Sequence, residues 1–209
     1  MTRAQIIQLV RDRFAFNESL DEAIILRHMD YAQLFYEQGT GQFPPPWFVL
    51  AEDTTLTTVA ATREVALPDG FLSLDDMWSA SITVDGVTYP FDKENHNVLV
   101  ADTDLTSARP EKFALAGDSI LCYPIPDVAY TINFPCNITT TAVSTTEDSP
   151  WFTEFPLLLM EHTCYSIAMA NRDTDAVKFA QGQLALHQST YLRRVEGRKH
   201  TGQSYTMGG

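Results

Sequence analysis

The stretch that decides the fold reads Arg109-Pro110-Glu111-Lys112-Phe113-Ala114-Leu115-Ala116, then Gly117-Asp118, then Ser119-Ile120-Leu121-Cys122-Tyr123 and Pro124-Ile125-Pro126-Asp127. Two runs of strand-favouring residues flank a Gly-Asp pair, the pattern of two strands joined by a tight turn. Pro-x-Pro-Asp stops the second run, because proline cannot donate to a strand ladder. A strand bearing Tyr130 follows, and a Thr-rich loop from Thr139 to Ser149 leads to Trp151. From Pro156 the apolar period becomes helical. Strands on one side of this junction and helices on the other set the fold class.

Working back from the junction, Trp47 to Phe134 keeps the strand character. Short runs rich in Val, Thr, Ile and Phe are cut by Pro68-Asp69-Gly70, Asp85-Gly86, Glu94-Asn95-His96-Asn97 and Gly117-Asp118. The clearest hairpin is Ser81-Ile82-Thr83-Val84, Asp85-Gly86, Val87-Thr88-Tyr89, since Asp-Gly supplies the positive φ angles of a type I′ turn. About six or seven strands at this spacing predict a small antiparallel sandwich or barrel rather than a parallel sheet.

The N-terminal segment reads instead as two helices. Ile6, Leu9, Val10 and Phe14 recur at helical spacing behind a Thr2 cap. Ser19-Leu20-Asp21-Glu22 has the S-x-x-E form of a capping box, and predicts a helix through Ala23, Leu26, Asp30, Leu34 and Phe35 that stops near Gly39. Gly39, Gly41 and Pro44-Pro45-Pro46 then form a stiff connector. Beyond the junction, Ser149-Pro150 or Thr153 starts a helical region, with Leu157, Leu158, Glu161, Cys164, Tyr165 and Ala168 on a helix ending near Asn171. Asp173 caps another, with Ala176, Phe179, Ala180, Gln183, Leu184, His187, Tyr191 and Val195 in one stripe that Gly197 ends. The prediction is an α+β protein. N-terminal helices (1–42) and C-terminal helices (149–196) form a helical bundle, 43–148 a central antiparallel β-sandwich or barrel-like domain, and 197–209 a flexible C-terminal tail.

Composition excludes several classes. The chain has 209 residues, 44% hydrophobic and 20% charged, as a globular protein does. No apolar run approaches the roughly 18–20 residues of a membrane span, and the N-terminal segment lacks a signal-peptide pattern, which argues against secretion by that route. Cys122, Cys136 and Cys164 have no C-x-x-C spacing and predict buried thiols rather than disulfides or a zinc site. The Asn137-Ile138-Thr139 sequon carries little meaning without a secretory signal. Net charge is −13, and residues 41–160 hold seventeen Asp/Glu against four Lys/Arg, whereas residues 161–209 hold six Lys/Arg against four Asp/Glu. An acidic middle repels phosphate, which disfavours tight nucleic-acid binding and suits a wall past which DNA slides. On composition alone, solubility is the favoured explanation of the same charge.

No catalytic constellation assembles. His162 and Cys164 lie two apart on a helix and face different ways, and H-E-x-x-H is absent. His28, His96, His187 and His200 are isolated. Asp75-Asp76 would point to opposite faces of a strand, and Asp102 and Asp104 sit in a turn. There is no G-x-S-x-G, P-loop, G-x-G-x-x-G or EF-hand pattern. The sequence thus predicts no catalytic residue, no cofactor and no metal. The one basic cluster, Arg193-Arg194, Arg198 and Lys199, fits a helix C-terminus through the helix dipole and makes a weak nucleic-acid footprint.

The order of motifs resembles the head-to-tail adaptor, or connector, proteins of tailed phages, in particular the podovirus-like adaptor family. The resemblance rests on the N-terminal helix pair, Leu67-Pro68-Asp69-Gly70-Phe71-Leu72, the hairpin near Val84-Asp85-Gly86, Ile120-Leu121 leading to Pro124-x-Pro126-Asp127 and Tyr130, and Trp151 and Pro156 opening a long helical segment. It spans about residues 3–196, and departs from the family pattern at Phe134-Pro135-Cys136-Asn137 and in the long Thr-rich insertion. It implies a structural virion protein, not an enzyme, made in the host cytoplasm and sited in the phage neck or tail. The implied partners are the portal protein, tail, nozzle or fibre proteins, and further copies in a ring of about twelve. Double-stranded DNA would pass through the lumen without specific binding, and no membrane is involved. The resemblance also implies portal docking by the basic C-terminal end (Arg193, Arg194, Arg198, Lys199, Ser204, Tyr205) and β loops facing the tail or nozzle (Asp85, Gly86, Tyr89, Asn95, Asn97). The competing readings are another neck or tail-completion protein, and a β-sandwich carbohydrate- or ligand-binding module using Trp47, Trp78 and Trp151 as a platform.

Overall fold

The computed structural model describes residues 1–14, 20–40, 42–52, 54–74, 79–101 and 106–201. In chain order its helices are α1 (Arg3–Arg13), α2 (Glu22–Glu37), α3 (His96–Ala101), α4 (Pro150–Glu154), α5 (Pro156–Ala170) and α6 (Thr174–Thr201). Its strands are β1 (Leu50–Ala51), β2 (Thr55–Thr57), β3 (Glu64–Ala66), β4 (Phe71–Leu74), β5 (Ser81–Val84), β6 (Val87–Pro90), β7 (Asp92–Lys93), β8 (Ser107–Ala108), β9 (Lys112–Ala116), β10 (Ser119–Tyr123), β11 (Ile125–Pro126), β12 (Thr131–Asn133) and β13 (Cys136–Ile138). Two compact units result, one of Met1–Val49 with Thr139–Gly209, the other of Leu50–Ile138. The chain is α+β, with its two ends grouped in one helical unit.

In the helical unit, Thr2 and Gln5 close a reciprocal capping box on α1. The second capping box takes a different form. α2 begins at Glu22, and Asp21 is its cap, accepting from the Ala23 amide at 3.0 Å. Glu22 is therefore the first helical residue rather than the third, and Ser19 lies outside the described residues. Ser149 caps α4, and the Asp173 carboxylate accepts from the Ala176 amide at the start of α6. α5 is buried without interruption from Leu158 to Cys164, as expected of a helix that is apolar around most of its circumference. Around it pack Ile6 and Val10 of α1, Ile25, Met29 and Tyr36 of α2, and Ala180, Leu184, Tyr191 and Val195 of α6. Gly197 does not end α6, which continues to Thr201. The helical cost of one glycine, about 1 kcal/mol, is small beside the contacts that Arg194 and Arg198 make on either side of it.

The Thr-rich segment has no regular structure, yet it is firmly held. Asp30, Gln33 and Glu37 stand on one face of α2. Asp30 accepts from the Ser144 amide (3.0 Å), Gln33 Oε1 from the Val143 amide (2.9 Å), and Glu37 from the Thr140 amide (3.2 Å). Val143 is fully buried, and Arg3 donates to the Ser144 carbonyl and pairs with Glu147.

The β unit consists of four small sheets, ordered β1-β13-β4, β3-β10-β9-β7, β11-β8 and β2-β12-β5-β6. Strand pairing is antiparallel except at β7–β9 and β8–β11. Among the described residues thirteen short strands stand in place of the six or seven longer runs read from the sequence, because most pairings last only two to four residues. The β5–β6 hairpin forms as its Asp-Gly predicts, with φ of +49° at Asp85 and +80° at Gly86. Leu56, Ile132 and Ile82 lie side by side across three strands and head a core with Phe91, Phe113, Ile120 and Phe134. The predicted turn at Glu94–Asn97 is instead the start of α3. Asn95 caps it, its side chain accepting from the Asn97 amide at 2.9 Å, while Leu99 is buried and its carbonyl accepts from Arg63.

Candidate functional site

The predicted docking arm is in part committed to the fold. Arg194 donates to the main-chain carbonyl and carboxylate of Glu154 at the end of α4, and its guanidinium lies 5.0 Å from the centre of the Phe155 ring. Arg198 stands 3.7 Å over the Trp47 ring and 4.0 Å from the same carboxylate. These contacts tie the last turns of α6 to α4 and to the 3-10 turn at Trp47–Val49. Arg193 points to solvent and bonds back to the Ser189 carbonyl of its own helix. The Lys199 side chain, Ser204 and Tyr205 lie outside the described residues.

The β-loop candidates divide in the same way. Asp85 and Gly86 form the exposed tip of the β5–β6 hairpin. Tyr89 on β6 stacks beneath Arg109, whose guanidinium is 3.8 Å from the ring centre and also pairs with Glu111. Asn95 and Asn97 are exposed but occupied with starting α3. Beside Arg109, Tyr130 donates to Asp127 at 2.7 Å, and that bond to a carboxylate raises its phenol above the usual range.

Residues 50–138 carry fourteen Asp/Glu against Arg63, Lys93, Arg109 and Lys112. Arg63 is spent on the Leu99 carbonyl, Arg109 on Glu111 and Lys112 on Glu94, so this unit presents a strongly negative surface.

One surface feature was not foreseen. α2, α5 and α6 enclose a groove of about 530 Å³, open along one side. Its apolar walls are Tyr31 and Phe35 from α2, Tyr165 and Met169 from α5, and Leu184 and Ala185 from α6. Ser166, Gln181 and Gln188 add neutral polar groups. His162 closes the floor, bonded at 3.1 Å to the Tyr36 hydroxyl, and burial lowers its pKa to about 4, which leaves it neutral at pH 7. The groove lining thus carries no charge, in a chain of net charge −13. The stripe reading of α5 and α6 picks out Leu158, Cys164, Ala180, Tyr191 and Val195, which are buried, but also Leu157 and Phe179, which are exposed, and it does not show where three helices splay apart.

The sugar-platform reading loses its main residue. Trp151 is fully buried and donates its indole N–H to Glu37 at 2.8 Å, Trp47 packs under Arg198, and Trp78 lies outside the described residues, as do Asp75, Asp76, Asp102 and Asp104. The three cysteines are free and buried, and burial pushes Cys122 and Cys164 up to about 12, which suppresses thiolate chemistry. Among the described residues no group of three or more His, Cys, Asp or Glu side chains is placed to hold a metal ion, and no helix is long and apolar enough to cross a membrane.

Comparison with known proteins matches residues 1–208 to a family described as SU10 adaptor protein. No curated protein matches the chain.

Proposed function

Because the chain belongs to the SU10 adaptor protein family, we propose that it forms the ring that joins a phage portal to the tail or nozzle, with double-stranded DNA passing through the lumen. As a member of that family it is a phage structural adaptor, associated with other virion components of the neck. The observation that carries the finer reading is the extent of the match, which covers both the helical and the β unit rather than one of them. The charge distribution supports it. A β unit with fourteen acidic and four basic residues repels phosphate, so DNA moving past it is not held. A ring of about twelve copies is the expected closed assembly.

Portal docking is assigned to the C-terminal end, with a narrower set of residues than the sequence suggested. Arg194 and Arg198 stabilise the end of α6, which leaves Arg193 and the chain from Lys199 to Gly209, including Ser204 and Tyr205, for the portal. The hairpin tip at Asp85 and Gly86 is exposed, and neither residue is occupied in starting a helix or stacking under Arg109, which suits a tail-side partner. The test is native mass measurement of the full chain with and without its portal ring. Stoichiometric loading of the portal is expected, and a chain with residues 202–209 deleted should stay folded but fail to load. A full-length chain that never loads the portal overturns the reading in favour of another neck component, and unimpaired loading after the deletion overturns the docking assignment alone.

A further inference from the structure

The adaptor reading requires copies to meet head to tail, and α6 carries two unlike patches suited to such a contact. On one side, Leu184 and Gln188 help wall the groove between α2, α5 and α6, whose rims expose Tyr31 (57%) and Met169 (52%). On the other, Phe179 (56% exposed) and Leu186 (62% exposed) project two turns apart along the helix. At 3.6 residues per turn the two patches are about 170° apart around the α6 axis. The guanidinium of Arg13 lies 5.0 Å from the Phe179 ring but is paired with Glu161, so its charge is balanced there. We propose that the groove of one copy receives Phe179 and Leu186 of the next, and that this knob-in-groove contact closes the ring. The inference rests on the adaptor reading above and names the surfaces that would serve it.

Three considerations select a second copy as the occupant. Copies of a chain with net charge −13 repel one another, so they approach best through surface that carries no net charge; the groove lining has none, and Phe179 and Leu186 have none. Because the two patches lie on opposite sides of α6, one neighbour cannot fill the groove and cover the projecting pair at once about a two-fold axis, so the contact is heterologous, as a ring requires. Both patches belong to the helical unit, and a single contact of this kind covers both exposed apolar surfaces of α6 together.

The experiment combines Met169→Cys and Leu186→Cys in one full-length chain, the native cysteines being buried. Portal-loaded complexes are treated with a short bis-maleimide and run under denaturing conditions. A ladder of multimers from the double variant, with none from either single variant, is the expected result. Loaded complexes that give no ladder overturn the proposal. So do crosslinks from position 169 to the portal protein, or dimers from the Leu186→Cys chain alone. A second variant, Phe179→Asp with Leu186→Asp, alters only exposed positions and should keep its far-UV spectrum while loaded copies fall at least tenfold; undiminished loading is equally fatal. If the wild-type chain never loads the portal, the adaptor reading fails first and this contact goes with it, a result distinct from all of the above.

Discussion

Replacing Glu37 with alanine removes the acceptor for four donors at once: the Thr140 amide, the Thr140 hydroxyl, the Gln33 amide group and the Trp151 indole N–H. Gln33 keeps its bonds to the Thr140 and Thr141 carbonyls, and the threonine hydroxyl can rotate. Among the described residues the Thr140 amide and the Trp151 indole have no second acceptor. Each donor left unsatisfied in a buried site costs about 1–3 kcal/mol, and bonds to a charged group lie at the upper end. The cavity left by the side chain adds to this, so Glu37→Ala should destabilise the helical unit by about 3–5 kcal/mol. Glu37→Gln keeps the volume but turns one acceptor into a donor facing donors, and should cost about 1–3 kcal/mol.

Urea unfolding followed by far-UV ellipticity reads the helical unit, and in a background with Trp47 and Trp78 replaced by phenylalanine, tryptophan emission reports on Trp151 alone. The predicted order is wild type, then Glu37→Gln, then Glu37→Ala, with the Trp151 emission of the alanine variant shifted to the red. A loss below about 1 kcal/mol for Glu37→Ala would falsify the claim that this carboxylate fastens the Thr-rich segment to α2. Equal losses for the two variants would show that bulk, rather than acceptor chemistry, is what matters.

Two further outcomes follow from buried or strained groups. His162 is held neutral by burial, with a pKa lowered from 6.5 to about 4. The unfolded chain takes up the proton first as pH falls, so the stability it confers is complete above about pH 6.5 and is lost on acidification toward about pH 4, an effect of roughly 3 kcal/mol. Urea midpoints for wild type and His162→Gln should converge as pH is lowered through that window; parallel pH slopes refute the assignment. Ala61 has a φ of +60°, a left-handed conformation that costs a residue with a Cβ roughly 1–2 kcal/mol. Ala61→Gly should stabilise the β unit by about 0.5 kcal/mol once glycine's extra chain entropy is subtracted, raising its melting midpoint by about 2–4 °C. A lower midpoint shows that the methyl group is needed there.

The local signals that proved reliable are those in which a short sequence dictates its own backbone. Asp85-Gly86 formed its hairpin, Thr2, Ser149 and Asp173 capped their helices, and Gly39 followed α2 with a φ of +66°. Two local readings failed because the same short polar side chains serve both turns and helix caps. Asp21 took the role assigned to Ser19, and Asn95 used its side chain to begin α3 instead of closing a turn. The grip of α2 on the Thr-rich segment was hidden differently. Asp30, Gln33 and Glu37 look like ordinary polar positions on an amphipathic helix, and their partners are more than a hundred residues away in sequence, at Thr140 to Ser144.

The candidate surfaces were least legible because a single helix carries no record of how wide a face it packs against. The apolar stripe of α6 runs in sequence from Ala176 through Phe179 and Leu184 to Val195, yet among the described residues of the helix only Ala180, Leu184, Tyr191 and Val195 are buried, and Phe179 is left mostly in solvent. Leu186 fell outside the stripe and drew no attention, since a lone exposed leucine is common on any surface. The pair acquires meaning only when the opposite side of the same helix is seen to open into an uncharged groove. The reverse holds for the basic cluster. Arg193, Arg194 and Arg198 read as one patch when counted along the chain, but at helical spacing Arg194 and Arg198 share a face. Trp47 and Glu154 meet them there, while Arg193 is turned away to solvent. Charge counted along a sequence therefore merged side chains that face different ways, and hydrophobicity counted the same way concealed the exposed pair Phe179 and Leu186.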